Sequence, residues 1–135
     1  MTDTPLHQTT RRVSFGHCDP AGIVYYPNLF RWVDETFHDH LDRFGGHAAV
    51  CKRLGSVGLG LIDVSAAFRT PMAEGDRLTI EMRVSRWGGR SLTLDYLGRV
   101  GARRAFEATE VRGVFIRDGE RLTAGETAPL RAIID

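Results

Sequence analysis

No apolar run in this chain approaches the ~20 residues that a membrane-spanning helix needs. Neither sign of charge dominates: 18 Lys and Arg against 17 Asp and Glu leave a formal net charge of +1 over 135 residues. Such a balance supplies no basic face for nucleic acid and no pull toward an anionic membrane. Cysteine is scarce. Cys18 and Cys51 lack C-x-x-C spacing, which excludes a cysteine zinc site and a disulfide framework, and they read as reduced cytosolic thiols. The histidines show neither H-E-x-x-H nor a matching Cys spacing, so no metal site is expected. No phosphate-binding glycine motif stands in a strand–loop–helix context. Residues 1–8 are polar and carry Pro5, without the apolar centre of a signal peptide. What remains is a soluble cytoplasmic protein with one domain over residues 1–135.

What the chain does hold is alternation and one strong helical period. Residues 11–15 alternate as a strand, with Val13 and Phe15 on one face. Pro27 suits a helix start, and Asn28 caps it or sits in its first turn. Leu29, Phe30, Val33, Phe37, Leu41 and Phe44 then share a stripe roughly a third of the circumference wide, until Gly45-Gly46 stops the helix. His40 falls inside the stripe as a satisfied core histidine, and Asp34 sits on its edge. Trp32 points away among Glu35, Asp39 and Arg43, which suggests a subunit contact. Residues 47–54 form a second short helix. Strands are predicted at 59–68, 76–87, 91–100 and 105–116, in meander order, with turns at Gly88-Gly89 and at residues 101–104. Asp118-Gly119 opens a polar C-terminal segment. The fold class is α+β: a five- or six-stranded antiparallel sheet wrapped around one long central helix.

Asp19 stands where the first strand breaks into a Pro/Gly turn just before that helix. Asp-Pro alone is a common turn starter, and this reading makes Asp19 structural. A carboxylate so placed is also able to attack a carbonyl or activate water, while N–H groups at the helix start hold the developing charge. His17, two residues earlier, would share a strand face with Asp19 and tune it.

The stretch Phe15-Gly16-His17-Cys18-Asp19-Pro20-Ala21-Gly22-Ile23-Val24-Tyr25-Tyr26-Pro27-Asn28, followed by Arg31-Trp32-x-Asp34, resembles the hotdog-fold acyl-CoA thioesterases of the 4-hydroxybenzoyl-CoA thioesterase branch. Weaker similarity continues through Val57-Gly58, Ala66-x-Phe68, Asp76-x-Leu78-Thr79-Ile80-Glu81, Trp87, Ser91 and Glu110-Val111-Arg112-x-Val114-Phe115. The resemblance implies a hotdog fold and hydrolysis of an aromatic, benzoyl- or hydroxybenzoyl-type acyl-CoA to the free acid and coenzyme A. It makes Asp19 the catalytic carboxylate and puts the Tyr26 backbone N–H on the thioester oxygen. Asp34 would face the ring hydroxyl, with Tyr25, Gly22, Leu59 and Gly60 also binding substrate, and Arg90 and Ser91 would hold coenzyme A. No metal or separate cofactor is implied, and a homodimer or homotetramer is.

Two departures stand out. Gly88-Gly89-Arg90 replaces a basic Arg-Arg-Lys run that grips the nucleotide phosphates, leaving Arg86, Arg103 and Arg104 as substitutes for that role. Leu59-Gly60 replaces a Thr-Pro pair lining the pocket. An Asp34 buried without a partner would carry a raised pKa and take a substrate hydroxyl as its donor. Asp19 acts either as nucleophile, through a mixed anhydride, or as general base on water. The rival readings are a thioesterase for short or medium aliphatic acyl-CoA or acyl-carrier-protein substrates, and a non-catalytic acyl-CoA-binding protein. A hydratase of the same fold needs a His–acid pair for which no motif is visible.

Overall fold

The computed structural model describes residues 4–135, so the polar start read over residues 1–8 falls partly outside the described residues. Six strands form one antiparallel sheet: β1 (His7–Arg12), β2 (Gly58–Phe68), β3 (Arg77–Trp87), β4 (Leu92–Val100), β5 (Arg103–Asp118) and β6 (Arg121–Gly125). Helix α1 (Pro27–Asp42) packs on its inner face, α2 (His47–Leu54) follows, and α3 (Ala128–Ile134) ends the chain. Inward positions alternate as a half-buried sheet requires: Leu78, Ile80 and Met82 on β3, Leu92, Leu94 and Tyr96 on β4. Irregular register places an extra residue in β2, β3 and β5 and bends these strands, and Gly98 on β4 lets the Phe106 ring lie where a Cβ would sit 2.1 Å from it. The helix-in-sheet arrangement is the expected one. None of the described helices is long and apolar enough to cross a membrane.

The strand order differs from a simple meander. β3, β4 and β5 are sequential neighbours, but β2 pairs with β5, giving β1-β3-β4-β5-β2. The N-terminal strand takes the outer edge of β3, from His7 opposite Met82 to Arg12 opposite Arg77, so β2 closes the other side. That strand also lies earlier than predicted. It ends at Arg12, and residues 15–17 form a 3-10 turn that leaves Phe15 exposed while Val13 is fully buried.

Its position explains Trp32, which is buried rather than free for a partner. Arg11 of β1 stacks 5.0 Å over the indole, the His17 ring meets it edge-on at 5.1 Å, and Thr9 bonds Thr36 one turn further at 2.8 Å. The buried arc of α1 therefore spans about half the circumference at ~100° per residue, adding Trp32 and Thr36 to the predicted stripe. The C-terminal segment is structured too. The Asp118-Gly119 turn, with Gly119 at φ +62°, returns β6 along β5, and α3 buries Leu130 and Ile134.

His40 and His38, two residues apart, face different surroundings. His40 is buried, with Nε2 2.9 Å from the Ile134 carbonyl and, among the described residues, no partner at Nδ1. Burial pulls its pKa down against that hydrogen bond; His7 and Arg43 push the same way, and Asp135 opposes them. His47 is lowered for the same reason, burial first. The unfolded chain binds these protons near pH ~6.5, so the stabilisation is complete above that pH and is lost as the pH falls below it. Urea midpoints measured from pH 8 down to 5.5 should decline, and His40→Leu should flatten part of that decline. An unchanged slope in His40→Leu would refute the assignment.

Candidate active site

The chain around Asp19 is built from local hydrogen bonds. Pro20 fixes the second position of a four-residue turn closed by Gly22 N–H to the Asp19 carbonyl at 2.9 Å. Gly22, at φ +81°, then forms the bulge that lets Asp19 N–H reach the Ile23 carbonyl at 2.9 Å. The Asp19 carboxylate is braced from one side only: Oδ1 accepts the Ala21 N–H at 2.8 Å. Oδ2 has no hydrogen-bond partner among the described residues, so it is the nucleophilic or basic atom on offer.

The start of α1 is pinned beneath this turn. The His17 carbonyl accepts both Tyr25 N–H and Asn28 Nδ2, each at 2.9 Å, so Asn28 anchors the turn instead of capping the helix. Pro27 has no N–H, and the amides of Asn28 and Leu29 are taken by the Tyr25 and Tyr26 carbonyls. The Tyr26 N–H thus remains the unpaired donor at this terminus among the described residues. Val24 N–H to the Met72 carbonyl at 2.8 Å ties the turn to the loop between β2 and β3. Between them opens a cleft of ≈ 500 Å³ that both Asp19 and Tyr26 line, walled by Val24, Phe68, Pro71 and Met72, with Arg69 and Thr70 beside them. His17 does not serve Asp19: in the 3-10 turn its Nδ1 accepts the Ser14 N–H at 3.0 Å and its ring packs on Trp32.

The other predicted residues lie elsewhere. Gly22 and Tyr25 belong to the same loop but do not wall the cleft. Asp34, Leu59 and Gly60 gather around Arg112 on β5, whose Nη2 donates to Asp34 Oδ1 at 2.7 Å and whose Nη1 donates to the Leu59 carbonyl at 3.1 Å. Gly60 owes its place to packing, because a Cβ there would meet the Phe115 ring at 2.1 Å. Asp34 is half-exposed and well partnered, so its pKa is not raised. The His38 and Arg112 side chains hold it down at about 2 against the opposing effect of partial burial. Arg90 and Ser91 form the β3–β4 turn, where Arg90 Nη1 donates to the Ala124 carbonyl at 2.6 Å. That turn is separated from the cleft end of β3 by ten residues, ~30 Å of strand.

Sequence reasoning passed over Arg112 and its buried neighbours. The signal was parity: Phe106, Ala108, Glu110, Arg112 and Val114 all occupy buried positions on β5, so two of its inward positions carry charge. Arg69 escaped because nothing local to residues 68–72 announces that the loop faces Asp19. Its guanidinium shares Glu107 with Arg104, at 2.7 and 2.8 Å.

Comparisons with known proteins give the family of the chain. A family model described as the thioesterase superfamily matches residues 21–105. The 4-hydroxybenzoyl-CoA thioesterase of Pseudomonas sp. strain CBS-3 is 33% identical over 124 residues, covering 86% of this chain and 87% of that protein. Its crystal structure superposes with a TM-score of 0.82 at 30% identity, over 95% of this chain and 97% of the other. A 1,4-dihydroxy-2-naphthoyl-CoA hydrolase of Trichodesmium erythraeum is 31% identical over 102 residues, covering 73% of this chain and 74% of its own. The protein is therefore a thioester hydrolase, and the chain belongs to the thioesterase superfamily.

Proposed function

We propose that the protein hydrolyses an aromatic acyl-CoA thioester, of the benzoyl or hydroxybenzoyl type, to the free acid and coenzyme A. The observation that carries this reading is the pairing, in one cleft, of the unpartnered Asp19 Oδ2 with the unpartnered Tyr26 N–H. A thioester carbonyl is poorly resonance-stabilised, so one carboxylate and one oriented donor are sufficient. Asp19 Oδ2 adds to the carbonyl carbon, or removes a proton from a water that does so. The tetrahedral oxyanion is held by the Tyr26 N–H and the positive end of α1, such a donor being worth about 3–4 kcal/mol. The C–S bond then breaks and the leaving thiolate takes a proton, from water or from the protonated Asp19; where Asp19 was the nucleophile, water then opens its mixed anhydride, releasing the acid and restoring the carboxylate. The aromatic preference rests on relatives that act on 4-hydroxybenzoyl- and dihydroxynaphthoyl-CoA, and on a crystal structure of an Asp-to-Asn variant of one such thioesterase in complex with 4-hydroxybenzoyl-CoA.

The site is completed by a second copy. β2 is an edge strand whose Phe68 end borders the Asp19 cleft, while its Gly58–Gly60 end carries the Asp34 group. Eight residues separate these ends, ~26 Å of strand. Leu61, Ile62 and Phe68 leave the edge apolar and about half exposed. Antiparallel pairing of two β2 strands would set the Asp19 end of one copy beside the Asp34 end of the other. Arg90 and Ser91, remote from their own Asp19, would likewise serve the nucleotide end only from a neighbouring copy, as in a dimer or tetramer.

Asp19→Asn should fold normally, because the amide oxygen still accepts the Ala21 N–H, and should lose hydrolysis by at least ~10³-fold. Thiol release from a panel of benzoyl-, 4-hydroxybenzoyl- and hexanoyl-CoA tests the substrate class. A preference for hexanoyl-CoA sinks the aromatic reading, and undiminished turnover by Asp19→Asn sinks the mechanism. Ile62→Glu should yield monomers in sedimentation velocity and lose activity with them. A fully active monomer would exclude the shared site.

A further inference from the structure

The buried charge cluster behind Asp34 is more elaborate than holding one helix requires. Arg112 is 3% exposed and Glu110 2%, and both lie under α1 on the inner face of β5. Arg112 Nε donates to Glu110 Oε1 at 3.0 Å, and Nη2 to Glu110 Oε2 at 2.9 Å. Glu110 Oε1 also accepts the Tyr96 hydroxyl at 2.7 Å. The guanidinium lies 4.2 Å over the Phe37 ring and bonds the Leu59 carbonyl. Four contacts from three residues thus fix Arg112 without any help from Asp34. The fifth contact, Nη2 to Asp34 Oδ1, is where this rigid cation meets the half-exposed helix edge. His38 Nε2 stands 3.5 Å from the same Oδ1. Oδ2 has no hydrogen-bond partner among the described residues.

We propose that Arg112, locked from behind by Glu110, Tyr96, Phe37 and the Leu59 carbonyl, is the positioning residue that presents Asp34 Oδ2 as a fixed acceptor, so that acyl groups ending in a hydrogen-bond donor are selected. The inference rests on the aromatic acyl-CoA reading and on Asp34 facing the far end of the acyl group. An ionised carboxylate only accepts hydrogen bonds. A phenolic hydroxyl or ring amine satisfies it, an unsubstituted ring leaves it unpaired, and a ring carboxylate or nitro group is repelled. A lysine in place of Arg112 would keep the charge but not the planar fork that reaches Glu110, Asp34 and Leu59 together. Binding Asp34 through the same guanidinium as the Leu59 carbonyl also ties the helix to the start of β2.

The test compares kcat/KM for 4-hydroxybenzoyl-CoA and benzoyl-CoA in the wild type, Asp34→Ala, Arg112→Lys and Arg112→Met/Glu110→Gln. The double variant removes both buried charges and leaves Tyr96 an amide oxygen to bond, so it avoids stranding a buried carboxylate. The wild type should favour the hydroxylated substrate on the order of 10- to 100-fold. Asp34→Ala and the double variant should both bring that ratio close to unity. Arg112→Lys should lower the ratio as well, and Asp34→Ala added to the double variant should change it no further. The Asp34 carboxyl, followed by NMR, should titrate near 2 in the wild type and higher in the double variant. A wild-type ratio preserved in Arg112→Lys or the double variant overturns the inference and leaves the thioesterase reading intact. Failure of the wild type to turn over either aromatic substrate overturns both.

Discussion

Burying α1 against the bent sheet is the constraint on which the rest depends. The helix inserts Leu29, Trp32, Val33, Phe37 and Leu41, all nearly inaccessible, and each such side chain contributes about 1.5–3 kcal/mol when it leaves water. Because the helix is gripped along about half its circumference, its N-terminus cannot drift. In the proposed reaction that terminus carries the chemistry. Proline at the first helical position removes one amide, tight turns occupy the next two, and a single donor is left facing the cleft. The same residues that end the loop therefore prepare an anion site, at no cost to helix formation.

A second consequence of the buried helix is that polar groups on the inner face of β5 must satisfy one another. Placing Arg112 and Glu110 there is costly in desolvation, and an apolar pair of similar size would pack at least as stably. Their retention is better explained by geometry than by stability. A guanidinium fixed by three residues holds a fourth in place more strictly than a surface lysine could, and the fourth is Asp34. Asp19 and Asp34 are thus braced in opposite ways. Asp19 is held by one backbone amide and keeps a reactive oxygen, whereas Asp34 is held by charge and stays ionised.

What could be read from residues alone follows the range of the interactions involved. The Asp19 turn, the helix beginning at Pro27 and the β3–β4 hairpin at Gly88-Gly89 are set by neighbours in sequence, and all three form where the pattern puts them. Trp32 was misjudged because its cover comes from β1, some twenty residues earlier, and the helical period carries no trace of that strand. Pairing of β2 with β5 was missed for the same reason: strand partners across more than forty residues are decided by which edges remain open. Arg112 is the instructive case. Its inward phase was visible on β5, but charge on a buried phase has meaning only once its partners on β2, β4 and α1 are known.

β2 runs between the Arg112 group and the Asp19 cleft. Its backbone begins at the Leu59 carbonyl bonded to Arg112 and ends at Phe68 beside the Asp19 cleft. Those two backbone points lie ~30 Å apart along the strand, while Asp34 itself stands only eight residues past Tyr26 on α1, ~12 Å along the helix axis. Antiparallel pairing of two such edges would place the Arg112 end of one copy beside the Asp19 cleft of the other, because a two-fold axis near the middle of β2 would interchange its ends. The bulge between Leu61 and Asp63 lies in the Arg112 half of the strand, where an added twist re-aims side chains across such an interface. Oligomerisation would then be a condition of catalysis, and the exposed apolar edge, a liability in a monomer, would be the element that joins chemistry to selection.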